Sequence, residues 1–258
     1  MSHAGLTIGV LGVGHLIRHM MPALVRGVAG DRLLLSPRNA AVADTLSKRY
    51  GLAIAPDTAT LVARSDVVLL AVRPPQVAEA TEALPWRQGQ IAVSLCAGVP
   101  RAVLRATIRG PNIVRAMPVI AAEFGESPTC IFPDNDVARS LLASCGPVLP
   151  LMSEEAFETA SVSACYFGWV LALIDQMAQA TAAQGLDPET SRLLVAQMTR
   201  AAATIARERT DASTAQLVEE LASPGSFTLT GLEVLRDNRA FDAWHQAFHA
   251  VLQRLRDR

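Results

Sequence analysis

From Leu6 to about residue 150 the chain alternates short apolar runs with segments of helix length. The pattern predicts strands at Thr7–Leu11, Arg32–Ser36, Val67–Val72, Ile91–Leu95, Asn112–Arg115, Thr129–Phe132 and Val148–Leu151. Several are apolar at every position, Val67-Val-Leu-Leu-Ala-Val72 most clearly. A strand covered on both faces reads that way, whereas a half-exposed one alternates. Helix-length spacers between such strands predict an α/β, doubly wound, Rossmann-type sheet. After Leu151 the strand-like runs stop, and Ala, Leu, Gln and Arg dominate. Helices are predicted at about 154–183, 188–208, 213–222, 229–236 and 239–256. Ser153 and Asp187-Pro188 supply starts, and Gly185 and Pro224-Gly225 supply breaks. The expected organisation is a Rossmann domain over 1–152 followed by an all-α domain over 153–258.

Composition narrows the function classes. Half of the 258 residues are hydrophobic and 18% are charged. That excludes a disordered chain. A net charge of −1 and 5% aromatics leave no basic field or stacking platform for nucleic acid, and none for an anionic membrane. The apolar run Tyr166–Ile174 ends at Asp175, short of a bilayer span. Met1–Leu6 carry no positive region of the signal-peptide kind. Cys96, Cys130, Cys145 and Cys165 form no C-x-x-C pair, so reduced thiols, no zinc site and a cytoplasmic protein are expected. The helical half, about 105 residues with alanine clusters at Ala178–Ala183 and Ala201–Ala203, is small for a self-sufficient domain and predicts a partner subunit.

The first predicted strand runs into Gly9-Val-Leu-Gly12-Val-Gly14-His15-Leu-Ile17 and then a helix. This is most of a dinucleotide fingerprint in its strand–turn–helix context. Gly12 permits the tight turn, and Gly14 lets the backbone approach a pyrophosphate at the helix N-terminus. Ile17 stands where a third Gly or Ala is usual. The second strand ends Leu35-Ser36-Pro37-Arg38-Asn39, without the acid that would hold a ribose 2′-hydroxyl. Ser36 and Arg38 suit a 2′-phosphate, predicting NADP(H) over NAD(H), although a solvated turn arginine would read the same way. His15/His19 and His245/His249 are spaced i,i+4, but neither pair has the glutamate of H-E-x-x-H, and no metal site is expected.

Four further blocks, in order, resemble the pyrroline-5-carboxylate reductase family over nearly the whole chain. They are Asp66-Val-Val-Leu-Leu-Ala71-Val72-Arg73-Pro74, Ser94-Leu-Cys96-Ala97-Gly98, Val114-Arg115-Ala116-Met117-Pro118 and Ser223-Pro224-Gly225-Ser226-Phe227-Thr228-Leu-Thr-Gly231-Leu232. The resemblance implies hydride transfer from NAD(P)H to the C=N carbon of a cyclic imine, and a homodimer interlocked through the helical half. It implies Gly12, Gly14, His15 and Leu16 on the pyrophosphate and Ser36 on the adenosine side. Ala71, Val72, Arg73, Pro74, Cys96, Ala97 and Gly98 would line the cofactor at the strand ends. Thr228 would be the catalytic hydrogen-bonding residue at the ring nitrogen. Asp211, at the head of the preceding helix, would join Ser226, Phe227 and Thr228 around the substrate.

The chain also departs from that pattern. Val119, Ile120 and Ala121 replace the family's N-T-P after Met-Pro. Tyr166, Phe167 and Trp169 stand where small residues are usual, either as an apolar pocket wall or as a packed aromatic stripe. Ser226 and Phe227 replace a glycine and a threonine. These changes predict a shift toward a less polar or bulkier imine, or else a non-catalytic NADPH-binding protein with a filled pocket. The only lysine is Lys48, so the lysine proton donor of the β-hydroxyacid dehydrogenases has no counterpart in the helical half.

Overall fold

The computed structural model describes residue 3 and residues 5–257. Their packing separates two compact units, one ending at Ala164 and one spanning Cys165–Asp257. The strands of the first are β1 (Ile8–Leu11), β2 (Leu33–Leu35), β3 (Ala53–Ile54), β4 (Val67–Leu70), β5 (Ile91–Ser94), β6 (Asn112–Met117), β7 (Thr129–Phe132) and β8 (Val148–Pro150). Its helices are α1 (His15–Gly27), α2 (Ala40–Tyr50), α3 (Thr58–Arg64), α4 (Val77–Thr81), α5 (Arg101–Thr107) and α6 (Asp136–Leu142).

The strands form one sheet in the order β3-β2-β1-β4-β5-β6-β7-β8. β1 to β6 run parallel, β7 pairs antiparallel with β6, and β8 runs parallel to β7. The order reverses direction at β1, between β2 and β4, which opens a crevice at the carboxyl ends of those strands. The expected doubly wound sheet is therefore present, with β3 as an added edge strand of two residues that hydrophobic patterning does not detect.

The all-apolar strands pack on both faces. In β4, Val67 and Leu69 enter one core with Ile8, Val10 and the α1 residues Ile17, Met20, Met21 and Leu24. Val68 and Leu70 enter the other, with Leu61 and Val62 of α3, Leu104 of α5 and Ile113. All four β4 side chains are fully buried. At about 1.5–3 kcal/mol for each large apolar side chain, this double burial is the main term holding the switch-point strands in place.

One buried cation ties the sheet to the helix that follows it. Arg115, on β6, has a side chain only 3% exposed. Its Nη1 lies 2.7 Å from Glu154 Oε1 and 3.4 Å from Glu158 Oε1, and its guanidinium sits 4.5 Å over the Phe157 ring. Glu154 Oε1 also accepts the Arg101 backbone N–H at 2.7 Å. Glu154 and Glu158 are one helical turn apart, at the start of α7 (Glu154–Ala182), so the guanidinium fixes that first turn and its rotation.

The second unit contains the rest of α7 with α8 (Pro188–Glu208), α9 (Thr214–Leu221), α10 (Phe227–Asp237) and α11 (Ala240–Arg256). These match the five expected helices within two or three residues. α10 starts earlier than predicted because the Ser226 hydroxyl caps it, accepting the Leu229 N–H at 3.2 Å. The apolar run read as ending at Asp175 is part of a 29-residue helix, which is long and apolar enough to cross a membrane by length and composition alone. The aromatic stripe packs within the unit: Tyr166 and Trp169 both meet Trp244 of α11 edge-on, at 5.8 and 6.3 Å between ring centroids. Among the described residues of Cys165–Asp257, only Ala178, Ser191 and Leu217 are buried, while Leu193, Met198, Ile205 and Leu221 are exposed.

Arg115→Ala should destabilise the first unit by about 3 kcal/mol, because it leaves two carboxylates facing a buried site without their cation. The expected readout is a lower urea midpoint; an unchanged midpoint would reduce the cluster to a passive contact.

Candidate functional site

The β1–α1 turn is built around Gly12. Its φ of +98° lies in the region glycine adopts without strain, and a Cβ there would stand 2.8 Å from the Ala71 carbonyl oxygen. Its N–H donates to Ser36 Oγ at 3.0 Å. The ends of β1, β2 and β4 are thereby tied together at the crevice. Gly14 differs: a Cβ built there meets nothing within 4 Å. It is the N-cap of α1, with no side-chain cap bond and no acid in the first helical turn. The free N–H groups and the positive end of the helix dipole therefore face open space.

That space is a cavity of about 530 Å³. Of the residues expected at the cofactor, Gly12, Gly14, His15, Leu16, Arg38, Ala71, Val72, Arg73, Pro74, Cys96 and Ala97 line it. Among the described residues His15, Arg38 and Arg73 are its basic side chains, and no carboxylate lines it. A dinucleotide, with its pyrophosphate and apolar ring faces, suits the chemistry of this lining. Gly98 instead lines a neighbouring cleft with Pro100 and Val103, joined to the cavity's lining through Pro74. Ser36 is buried, 1% exposed, beneath the glycine turn, where its hydroxyl is already engaged with Gly12. Arg38 is half exposed.

Cys96 is a neutral part of the wall. Burial pushes its thiol pKa up, so it stays protonated, with Sγ 3.3 Å from the Val72 carbonyl oxygen. Ile17, at the third-glycine position, is fully buried in the α1-facing core, so an isoleucine fits between helix and strand here. The His15 and His19 rings meet edge-on at 4.7 Å, and His19 Nδ1 pairs with Glu123 Oε2 at 2.8 Å. Among the described residues no His, Cys, Asp and Glu cluster could hold a metal. Pattern reading missed Asn39, Gln76 and Leu95 in the lining. Asn39 has a φ of +66° and donates from Nδ2 to the Val13 carbonyl at 3.3 Å; Asn after a strand end is a signal for that left-handed position.

In the helical unit, Ser226, Phe227 and Thr228 sit at the N-terminus of α10. Ser226 is the cap, whereas Phe227 is 98% exposed and Thr228 is exposed as well. Asp211 is not at a helix head. Ser213 caps α9 in a capping box with Gln216, and Asp211 lies two residues earlier, in the loop. Its carboxylate is hydrogen-bonded to Arg209 (Nε to Oδ1, 2.9 Å), which holds its pKa below the usual carboxylate value.

Comparison with known proteins matches two separate parts of the chain. Residues 154–258 match the family described as pyrroline-5-carboxylate reductase dimerisation, and residues 7–98 match that described as NADP oxidoreductase coenzyme F420-dependent. A pyrroline-5-carboxylate reductase of Thermus thermophilus is 30% identical over 220 residues, covering 81% of each chain. One from Pasteurella multocida is 28% identical, covering 96% of each. Among solved structures, a pyrroline-5-carboxylate reductase of Coxiella burnetii superposes with a TM-score of 0.84 at 25% identity, over 98% of each chain. A Plasmodium falciparum pyrroline carboxylate reductase with NADP bound shares the fold, with a TM-score of 0.86 at 20% identity over 97% of each chain.

The two glycines should separate experimentally. Gly12→Ala should destabilise the fold by roughly 1 kcal/mol or more, through positive-φ strain and the clash with Ala71. Gly14→Val should leave the melting temperature near that of the parent while weakening NADPH binding. Equal effects on stability at the two positions would contradict this assignment of roles.

Proposed function

The chain belongs to the pyrroline-5-carboxylate reductase family, and on that footing we propose that it reduces the C=N bond of 1-pyrroline-5-carboxylate to give proline. The observation that carries the reading is the cavity at the sheet's switch point, lined among the described residues by His15, Arg38 and Arg73 and by no carboxylate. A nicotinamide dinucleotide bound there supplies the hydride, and the protein supplies orientation and shelter from water. Backbone N–H groups at Gly14, His15 and Leu16 receive the pyrophosphate. Ala71–Pro74 and Cys96–Gly98 form the wall at the strand ends, and Cys96 contributes no charge to it. Arg38 favours NADPH through a charge-assisted contact to the 2′-phosphate.

Thr228 is assigned to the ring nitrogen, with Ser226, Phe227 and Asp211 near the substrate; this part of the reading rests on the family resemblance. No lysine is available as a proton donor, since the only one, Lys48, lies on α2. Val119 and Phe227, where the family has polar groups, extend the substrate range toward less polar cyclic imines. The enzyme works as a homodimer in the cytoplasm. Supporting the dimer are the match of residues 154–258 to a dimerisation family and a helical unit with three buried residues among those described. A purely nucleotide-binding role is less favoured, because Phe227 is exposed and Trp169 is engaged with Trp244.

The test is loss of NADPH absorbance with 1-pyrroline-5-carboxylate and with the carboxylate-free 1-pyrroline. Turnover of the carboxylate substrate is expected, and failure with both imines despite tight NADPH binding would overturn the catalytic reading. Thr228→Val should lower kcat by about 10-fold or more with little change in NADPH affinity. Sedimentation at micromolar concentration should give a dimer; a monomer with its helical half folded would refute the assembly.

A further inference from the structure

The cleft adjoining the nucleotide cavity carries an acid that the second strand lacks. In a doubly wound dinucleotide site, a carboxylate at the end of that strand accepts the ribose 2′-hydroxyl of NAD(H) and repels a 2′-phosphate. Here the strand end is Leu35-Ser36-Pro37-Arg38-Asn39, with no acid. The structure brings one in from another element. Glu79, the third residue of α4, places Oε1 3.6 Å from Arg38 Nη2. Both residues line a cleft of about 230 Å³, together with Gly12, Ser36, Thr58 and Leu84. Gly12 and Arg38 also line the larger cavity, so the cleft continues it on the β2 side.

Resting on the nucleotide reading above, we propose that Glu79 is a cofactor-selectivity residue, standing in for the missing acid of the second strand. With NADH, the carboxylate accepts from the ribose 2′-hydroxyl and Arg38 keeps its partner. With NADPH, Arg38 exchanges a carboxylate for the 2′-phosphate, and Glu79 is left beside a like charge. The side chains are 51% and 74% exposed, so either can turn without repacking the core. Glu79 therefore limits the NADPH preference that Arg38 creates, and the protein binds both dinucleotides with affinities closer than the sequence of the β2 end implies.

The experiment is direct binding, followed by nicotinamide fluorescence, of NADPH and NADH to the parent, Glu79→Gln, Arg38→Ala and the double variant. Calorimetry with adenosine 2′,5′-bisphosphate and 5′-AMP repeats the comparison without the nicotinamide. Glu79→Gln should raise the NADPH-to-NADH affinity ratio by about five-fold, since exposed charge pairs couple weakly and the phosphate carries more than one charge. The gain should become smaller but persist when Arg38 is also replaced, because the carboxylate still faces the 2′-phosphate, and added salt should shrink it. An unchanged ratio in a folded Glu79→Gln protein would overturn the proposal while leaving the reductase reading intact. Failure of the parent to bind either dinucleotide would overturn both.

Discussion

Gly12 is held from two sides: its N–H donates to Ser36 at the end of β2, and its Cα lies against the Ala71 carbonyl at the end of β4. Three adjacent strands are thus locked at their carboxyl ends, where the strand order reverses. Everything the cavity does depends on that lock. It aims the start of α1 into open space, sets Arg38 and Asn39 on one rim, and sets Arg73 and Pro74 on the other. Ser36, buried beneath the turn, supports the loop and also lines the cleft on the β2 side.

Arg115 plays a comparable part at the other end of the first unit. A guanidinium this deeply buried requires partners, and Glu154, Glu158 and the Phe157 ring supply them from successive turns of α7. Charge, planarity and ring contact together fix the rotation of that first turn against β6.

Much of this architecture is legible in the sequence, for identifiable reasons. Strands apolar at every position, such as Val67–Leu70, announce burial on both faces, and the glycine turn announces the switch point. β3 escapes because its two residues carry no period, and its place comes from pairing with β2. The antiparallel turn at β7 escapes because strand direction depends on the connection, not on the strand. Tyr166 and Trp169 read as a stripe from their spacing, but their partner Trp244 is remote in sequence, so pocket wall and packed cluster could not be told apart beforehand. Asp211 falls in the loop before α9 because Ser213 caps that helix, and a cap is set by local hydrogen bonding that the family pattern does not carry. Glu79 carried no signal, since its meaning arises only when α4 brings it beside Arg38.

The nearly coreless helical unit has a consequence for the living cell. In the proposed dimer its interior is furnished by a second chain, so abundance becomes a variable in its persistence. Each tenfold fall in subunit concentration weakens the assembled state by about 1.4 kcal/mol. Newly made chains are then most vulnerable to proteases while they are scarce, and a population of subunits protects its own members as it accumulates.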